Sequence, residues 1–378
     1  MLPALKPAGL SLADVLESCL AAVSGRASRL DLPPVNRAAV VLVDGLGVDA
    51  LKARIGHART LASTLSASSV IESGFPTTTA AALASLTTGL PPGEHGLVGY
   101  TVLDPAHDRI VNQLTGWDER LVPEEWQPFA TVFERAVERG VEAIVIGPER
   151  YRHTGFTRAV LRGAHYRSAV SIQDRVGLAI EALREPGPGI VYVYIPELDQ
   201  TAHAHGWESR QWTELLESVD AALRPLITSM DARSGALLTA DHGLLDIPTH
   251  NHVLVDSNPR LWDGVRYVAG EPRCLQIYLE PDASPEVRSQ LIERWREAES
   301  GRAWIATRDE AIDAGWFGSV RADVSPRIGD LLVAARKSIA YYDSRVPGNN
   351  GRSMVGQHGS WSPAEVRVPL LRFGAFAR

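Results

Sequence analysis

The chain has 378 residues, 45% hydrophobic and 22% charged, the make-up of an ordinary folded protein long enough for two or three domains. Its net charge of -7 argues against a general nucleic-acid binder, because phosphate backbones attract basic faces, but it allows a small anionic substrate held by cations or N–H groups. No stretch reaches the ~18–20 continuous apolar residues of a membrane span, so neither a nucleic-acid polymer nor a membrane is expected as a partner.

The opening "MLPALKPAGLSLADVLESCLAAVSG" has one early lysine, and Asp14 and Glu17 interrupt its apolar part. It reads as an amphipathic helix with Ser11 and Asp14 at its start, and as a poor signal peptide. Residues 1–35 are taken as an N-terminal helical segment. Cys19 and Cys274 are the only cysteines, too few for a disulfide framework or a thiolate metal site. They read as reduced core residues, and the expected location is cytoplasmic.

Apolar, β-branched runs then recur: "RAAVVLVDG", "EAIVIGPE", "GIVYVYIPELD" and "GALLTADHG". Between them lie helical patterns in "WQPFATVFERAVERG", "SIQDRVGLAIEALRE" and "WTELLESVDAALRPLITSM". Alternating strands and helices imply an α/β fold with a mainly parallel sheet covered on both faces. Ligands of such sheets bind beyond the carboxyl ends of the strands, where Asp44, Asp199, Asp241 and His242 stand. From about residue 251 to 345 the texture changes: "CLQIYLE" and "DLLVAAR" read as strands, and "SPEVRSQLIERWREAES" as a helix capped by Ser284. This stretch is expected to be an inserted α+β lobe, with 36–250 and 346–378 forming the core. The chain returns to that core through "VGQHGSWSP" and "VPLLRFG".

Several clusters carry chemistry. In "SGFPTTTAAALASLTTGLPPGEHG", Thr77, Thr78 and Thr79 open a helical pattern, where a hydroxyl can cap the helix or serve as a nucleophile beside its positive end. Asp44 ends a strand before "GLG", and Asp199 and His203 stand four apart in "ELDQTAHAHG". Asp241 and His242 are adjacent in "TADHG", so both can hold one ion only where the backbone turns, as Gly243 permits. His358 lies between glycines in "GQHGSW". Carboxylate and neutral imidazole are ligands that zinc accepts. Three aspartates and three histidines suffice for two ions with three ligands each, an arrangement suited to in-line phosphoryl displacement.

The set resembles the type I phosphodiesterase/nucleotide pyrophosphatase family of the alkaline phosphatase superfamily. Asp44, "PTTT", Thr88-Gly89, His95-Gly96, Asp199/His203, Asp241-His242-Gly243 and His358-Gly359 match that family's motifs in order. The resemblance implies an alkaline-phosphatase-like core with Thr79 as nucleophile, passing through a phosphothreonine. It implies one metal site from Asp199, His203 and His358, and another from Asp44, Asp241 and His242 with the Thr79 oxygen. The expected cofactors are two divalent ions, Zn2+ first and Mn2+ or Fe as alternatives, and the expected partner is a small phosphoester or nucleotide.

Monoester-cleaving alkaline phosphatases place an arginine directly after their nucleophile, whereas Ala80 and Ala81 follow Thr79 here. A diester carries less charge on phosphorus and needs that clamp less, so diesters or pyrophosphates are favoured. The C/S-x-P-x-R pattern of sulfatases is absent. Related phosphodiesterases carry an Asn a few residues after "HG", where this chain has Tyr100; its phenol, or nearby Asn112, is a candidate donor to a phosphoryl oxygen. A phosphomonoesterase or phosphonate hydrolase on the same metals is the nearest alternative. A silent metal- or nucleotide-binding protein is the other, and Thr79 argues against it because binding needs no nucleophile. His205, His250 and His252 are expected outside the ligand set, and His95 in packing or a turn.

Overall fold

The computed structural model describes residues 2–4, 9–345 and 350–377; the remaining parts of the segments 1–35 and 346–378 lie outside the described residues. A six-stranded sheet forms the centre, in the order Leu371–Gly374, Ser234–Thr239, Arg37–Val43, Gly189–Ile195, Glu142–Gly147, His165–Ser168. Five of these strands run parallel, and Leu371–Gly374 closes one edge antiparallel to Ser234–Thr239. Every residue of Arg37–Val43 and of Ser234–Thr239 is buried, which is why these runs are continuously apolar rather than alternating.

Helices Ala13–Val23, Val132–Glu138, Ile172–Arg184 and Arg210–Ser229 help to cover the sheet. At the first, the Ser11 N–H donates to Asp14 Oδ2 (2.9 Å), so Asp14 reaches back to secure the helix start. Ser171 and Ser209 cap two others by accepting from Asp174 N–H and Trp212 N–H. The pattern "WQPFATVFERAVERG" yields a helix only over Val132–Glu138, because a Thr131/Glu134 capping box starts it there. Upstream, the Gln127 amide is drawn off to the carbonyls of Phe129 and Ala159. "VPLLRFG" divides in two, Arg367–Pro369 pairing with Val70–Glu72 before Leu371–Gly374 joins the main sheet.

A second six-stranded, antiparallel sheet runs Ala303–Thr307, Leu331–Ala335, Cys274–Leu279, Val265–Glu271, Thr101–Asp104, Arg109–Asn112. Its last two strands form a hairpin from earlier in the chain, far from the 251–345 stretch that supplies the other four. Helix Pro285–Glu299 is capped by Ser284 and buries Leu291 and Trp295 against this sheet. Among the described residues no helix is long and apolar enough to cross a membrane. Cys19 and Cys274 are free and buried.

One fully buried ion pair ties the second sheet to the loop after His358. Arg273 grips both oxygens of Glu365 (2.7 and 2.8 Å) and donates to the carbonyls of Lys337 and Ile339. Glu365 also accepts from the N–H groups of Ser360 and Ser362, and its carbonyl accepts from Gly243 N–H. Arg273→Ala strands the Glu365 charge in the interior and is expected to cost about 3–5 kcal/mol in denaturant unfolding. A loss below about 1 kcal/mol, the range of exposed pairs, contradicts this role.

Candidate active site

Parallel strands deliver the acidic residues to one edge of the main sheet. Asp44 follows Arg37–Val43, Asp241 follows Ser234–Thr239, and Asp199 lies in helix Glu197–His205 just after Gly189–Ile195. Gly45, at φ +72°, makes the turn after Asp44, where a Cβ would stand 3.0 Å from the Asp199 carboxylate. Its N–H donates to Asp241 Oδ1, as does that of His242 (3.1 and 3.0 Å). Gly243 is required for space rather than for a left-handed backbone, since a Cβ there would meet the Ala364 carbonyl at 2.0 Å.

Ligand atoms of Asp44, Asp241 and His242 lie within 4.8 Å of one another, and so do those of Asp199, His242 and His358. His242 therefore belongs to both groups. His203 joins through Asp199, its Nε2 lying 3.2 Å from Asp199 Oδ2. The rings of His242 and His358 stack at 3.6 Å, and those of His203 and His358 lie 5.2 Å apart.

All three imidazoles are oriented in the same way. Nδ1 of His203 bonds the Gly356 carbonyl (2.7 Å), that of His358 the Thr77 carbonyl (2.7 Å), and that of His242 the Gly243 carbonyl (3.2 Å). Each bond engages Nδ1 and leaves Nε2 as the nitrogen to offer an ion, the outer-shell pattern typical of metal-bound histidine. Asp44 Oδ1, Asp199 Oδ1 and Asp241 Oδ2 are buried without a hydrogen-bond partner among the described residues. Buried carboxylate oxygens are costly in that condition, and divalent cations relieve the cost. The donor set fits two such ions.

The electrostatics follow from burial and crowding. Burial, then the charges of Asp241 and Asp199, push the Asp44 carboxyl well up, against a short bond from Tyr194 Oη (2.5 Å). Burial also raises Asp199, but His203, His358 and His242 together outweigh it and hold the group below the usual carboxylate range. Burial lowers His203, yet the facing Asp199 leaves it net raised. His358 is pushed well down, by burial and then by His242.

Thr79 is the first residue of helix Thr79–Thr88, with Oγ1 3.2 Å from His242 Nε2. The first bond inside that helix runs from Ala82 N–H to the Thr78 carbonyl, so earlier N–H groups remain for a ligand. The other two threonines do different work. Thr77 Oγ1 accepts from Gly359 N–H and donates to the Ser360 carbonyl (both 2.9 Å), clasping the His358 loop. Thr78 occupies the cap position without a side-chain cap bond, and it favours ionisation of the Glu271 carboxyl against the larger effect of burial.

Tyr100 is 37% exposed. Asn112 Oδ1 accepts from the N–H groups of Leu114 and Thr115, so its oxygen is held in a turn. His205 and His250 are exposed, His252 packs on Tyr342, and buried His95 bonds Ser85 Oγ and Leu97 N–H.

The sequence profile for "Type I phosphodiesterase / nucleotide pyrophosphatase" matches residues 38–361. The chain belongs to this family. Its match to an uncharacterized pyrophosphatase/phosphodiesterase of Schizosaccharomyces pombe is 24% identical over 191 residues, 48% of the chain and 38% of the relative. An ectonucleotide pyrophosphatase/phosphodiesterase of Caenorhabditis elegans is 20% identical over 287 residues, 73% of the chain and 32% of the relative. The chain thus spans about a third of the length of either curated relative. Among solved structures, murine ectonucleotide pyrophosphatase/phosphodiesterase 5 superposes with a TM-score of 0.66 at 16% identity, covering 89% of this chain and 88% of that one. Phosphonoacetate hydrolase from Sinorhizobium meliloti, in complex with phosphonoformate, gives 0.69 at 18%, covering 90% and 91%. The fold is the α/β, alkaline-phosphatase-like one.

Sequence reasoning missed two neighbours of the site. Tyr194, five residues before Asp199 in the alternating strand "YVYIPELD", holds Asp44. Glu271 lies behind His358 (4.0 Å), its carboxyl pushed well up by burial. The Tyr194 alternation was a usable signal; Glu271 had none, being brought in by the second sheet.

Metal binding requires neutral imidazole and ionised carboxyl. With His203 and Asp44 both raised, zinc binding near pH 7 is expected to expel protons, and apparent affinity to rise with pH until both groups have titrated. Calorimetry in two buffers of different ionisation enthalpy reads this directly; identical heats in both would contradict it.

Proposed function

We propose that this protein is a metal-dependent hydrolase of phosphodiester or nucleotide pyrophosphate bonds that works through a phosphothreonine on Thr79. The observation that carries the reading is the placement of Thr79 Oγ1 at a helix start, 3.2 Å from His242 Nε2, beside buried carboxylate oxygens that lack donors. Asp199, His203 and His358 would hold one cation; Asp44, Asp241 and His242, with Thr79, would hold the other. Two zinc ions, or manganese or iron in their place, would lend positive charge to the attacking and leaving oxygens.

The chain's own residues supply the rest. The Thr79 oxygen attacks phosphorus in line, its proton passing to solvent, while the bond to the leaving oxygen breaks. Free N–H groups at the start of Thr79–Thr88 face the charge that builds on the equatorial oxygens. Water then attacks the phosphothreonine and restores the hydroxyl. Tyr100, whose phenol is partly exposed, and Asn112, whose turn bonds occupy its oxygen and not its NH2 group, both remain candidate phosphoryl donors.

Residues 36–250 and 346–378 act in this reading as the catalytic core, and 251–345 as an inserted lobe that shapes the pocket with the 101–112 hairpin. An inactive variant of the murine neighbour is described in complex with AMP, which supports a nucleotide-like substrate. Ala80 and Ala81 after Thr79 leave a doubly charged monoester without an adjacent guanidinium, and so support diesters over monoesters.

The test is hydrolysis of bis-p-nitrophenyl phosphate against p-nitrophenyl phosphate by zinc-loaded protein, with Thr79→Ala alongside. The expected result is diester preference and a loss of at least about 1000-fold in kcat for the variant, as for other obligatory nucleophiles. Monoester preference overturns the substrate class, and undiminished activity of Thr79→Ala overturns the nucleophile.

A further inference from the structure

Beyond the proposed ligand cluster, the carboxyl edge of the main sheet carries a cation, Arg150, with no anionic partner among the described residues. Arg150 follows strand Glu142–Gly147, which pairs with the strand leading to Asp199. Arginines around it are neutralised: Arg152 by Glu149 at 2.9 Å, and Arg175 by Glu197. Arg150 makes no ion pair among the described residues. It donates instead to two neutral groups, Tyr151 Oη (3.2 Å) and Gln200 Oε1 (3.3 Å), and its guanidinium carbon lies 4.8 Å from the Tyr151 ring centroid.

This cluster neighbours the reaction centre through Gln200 and through Tyr151. Gln200 directly follows Asp199 and donates in turn to Tyr151 Oη (3.1 Å). The Tyr151 ring lies 5.9 Å from that of Tyr194, whose hydroxyl bonds Asp44. Arg150 is nevertheless exposed. A guanidinium ordered by neutral partners and left uncompensated matches a planar oxyanion better than it serves stability.

We infer that Arg150, positioned by Tyr151 and Gln200, selects substrates whose leaving group carries a second oxyanion, a carboxylate or a phosphoryl group. The inference rests on the hydrolase reading above and adds to it the residue that recognises the leaving group. Arg150 determines specificity and takes no part in the bond-breaking step.

Three methyl aryl phosphate diesters, alike except for a para carboxylate, phosphonate or carboxamide, separate the possibilities with full-length, zinc-loaded protein. The expected kcat/KM favours at least one anionic ester over the carboxamide by about tenfold or more, as for a charge-assisted bond. Arg150→Gln should bring that ratio close to one, and Arg150→Lys should keep part of it. Preference for the phosphonate alone identifies phosphoryl-bearing leaving groups, and preference for the carboxylate alone identifies the other source. A wild-type ratio near one, or a ratio retained by Arg150→Gln, overturns the inference while the hydrolase reading stands. If no ester is turned over, that reading fails. The same ratio, measured as dissociation constants by calorimetry on zinc-loaded Thr79→Ala with and without Arg150→Gln, then decides the role of Arg150 independently.

Discussion

The structure depends on mutual repulsion among Asp44, Asp199 and Asp241, brought together where water is scarce. In such surroundings burial and the charges of Asp241 and Asp199 raise the cost of ionising Asp44. Local donors meet the repulsion only in part. Tyr194 takes one oxygen of Asp44, and the N–H groups of Gly45 and His242 take one of Asp241. The oxygens left over share a pocket with three imidazoles whose Nδ1 atoms are taken up by backbone carbonyls. Such a site is unfavourable by itself, and the cations of the proposed function would relieve its cost.

Holding this arrangement falls to contacts distant in sequence. Thr77 clasps the His358 loop through its carbonyl and hydroxyl, so the turn that presents Thr79 also fixes a histidine nearly three hundred residues later. The Arg273–Glu365 pair anchors the far side of that loop, and the Glu365 carbonyl reaches Gly243 beside His242. The second sheet thereby bears on the site although it supplies none of the six proposed ligands.

Much of this was legible in the sequence. Buried parallel strands announce themselves as unbroken apolar runs, and each aspartate stands at or just beyond the end of one. Asp44, Asp199, Asp241 and His242 fall in one neighbourhood because strand order places the ends of their strands side by side, and the Thr77 carbonyl brings His358 to them. The regrouping of His242 with Asp199 and His358 was not legible, since ring stacking is a tertiary fact. Nor were the separate roles of Thr77 and Thr78, which depend on Gly359, Ser360 and Glu271. The hairpin Thr101–Asp104/Arg109–Asn112 reads locally as part of the core and is claimed by the second sheet through pairing of Thr101 with Gly270. In "WQPFATVFERAVERG" the apolar spacing suggested a longer helix, and the Thr131 capping box set its start.

The central claim is that Thr79, rather than water alone, attacks phosphorus. Its most direct test is acid quenching of zinc-loaded protein during turnover of bis-p-nitrophenyl phosphate, followed by mass spectrometry of the peptide holding Thr77, Thr78 and Thr79. The account predicts a phosphoryl adduct on Thr79 alone, absent from unreacted protein and from Thr79→Ala. Product formed at full rate by Thr79→Ala, or an adduct on Thr77 or Thr78, would contradict it.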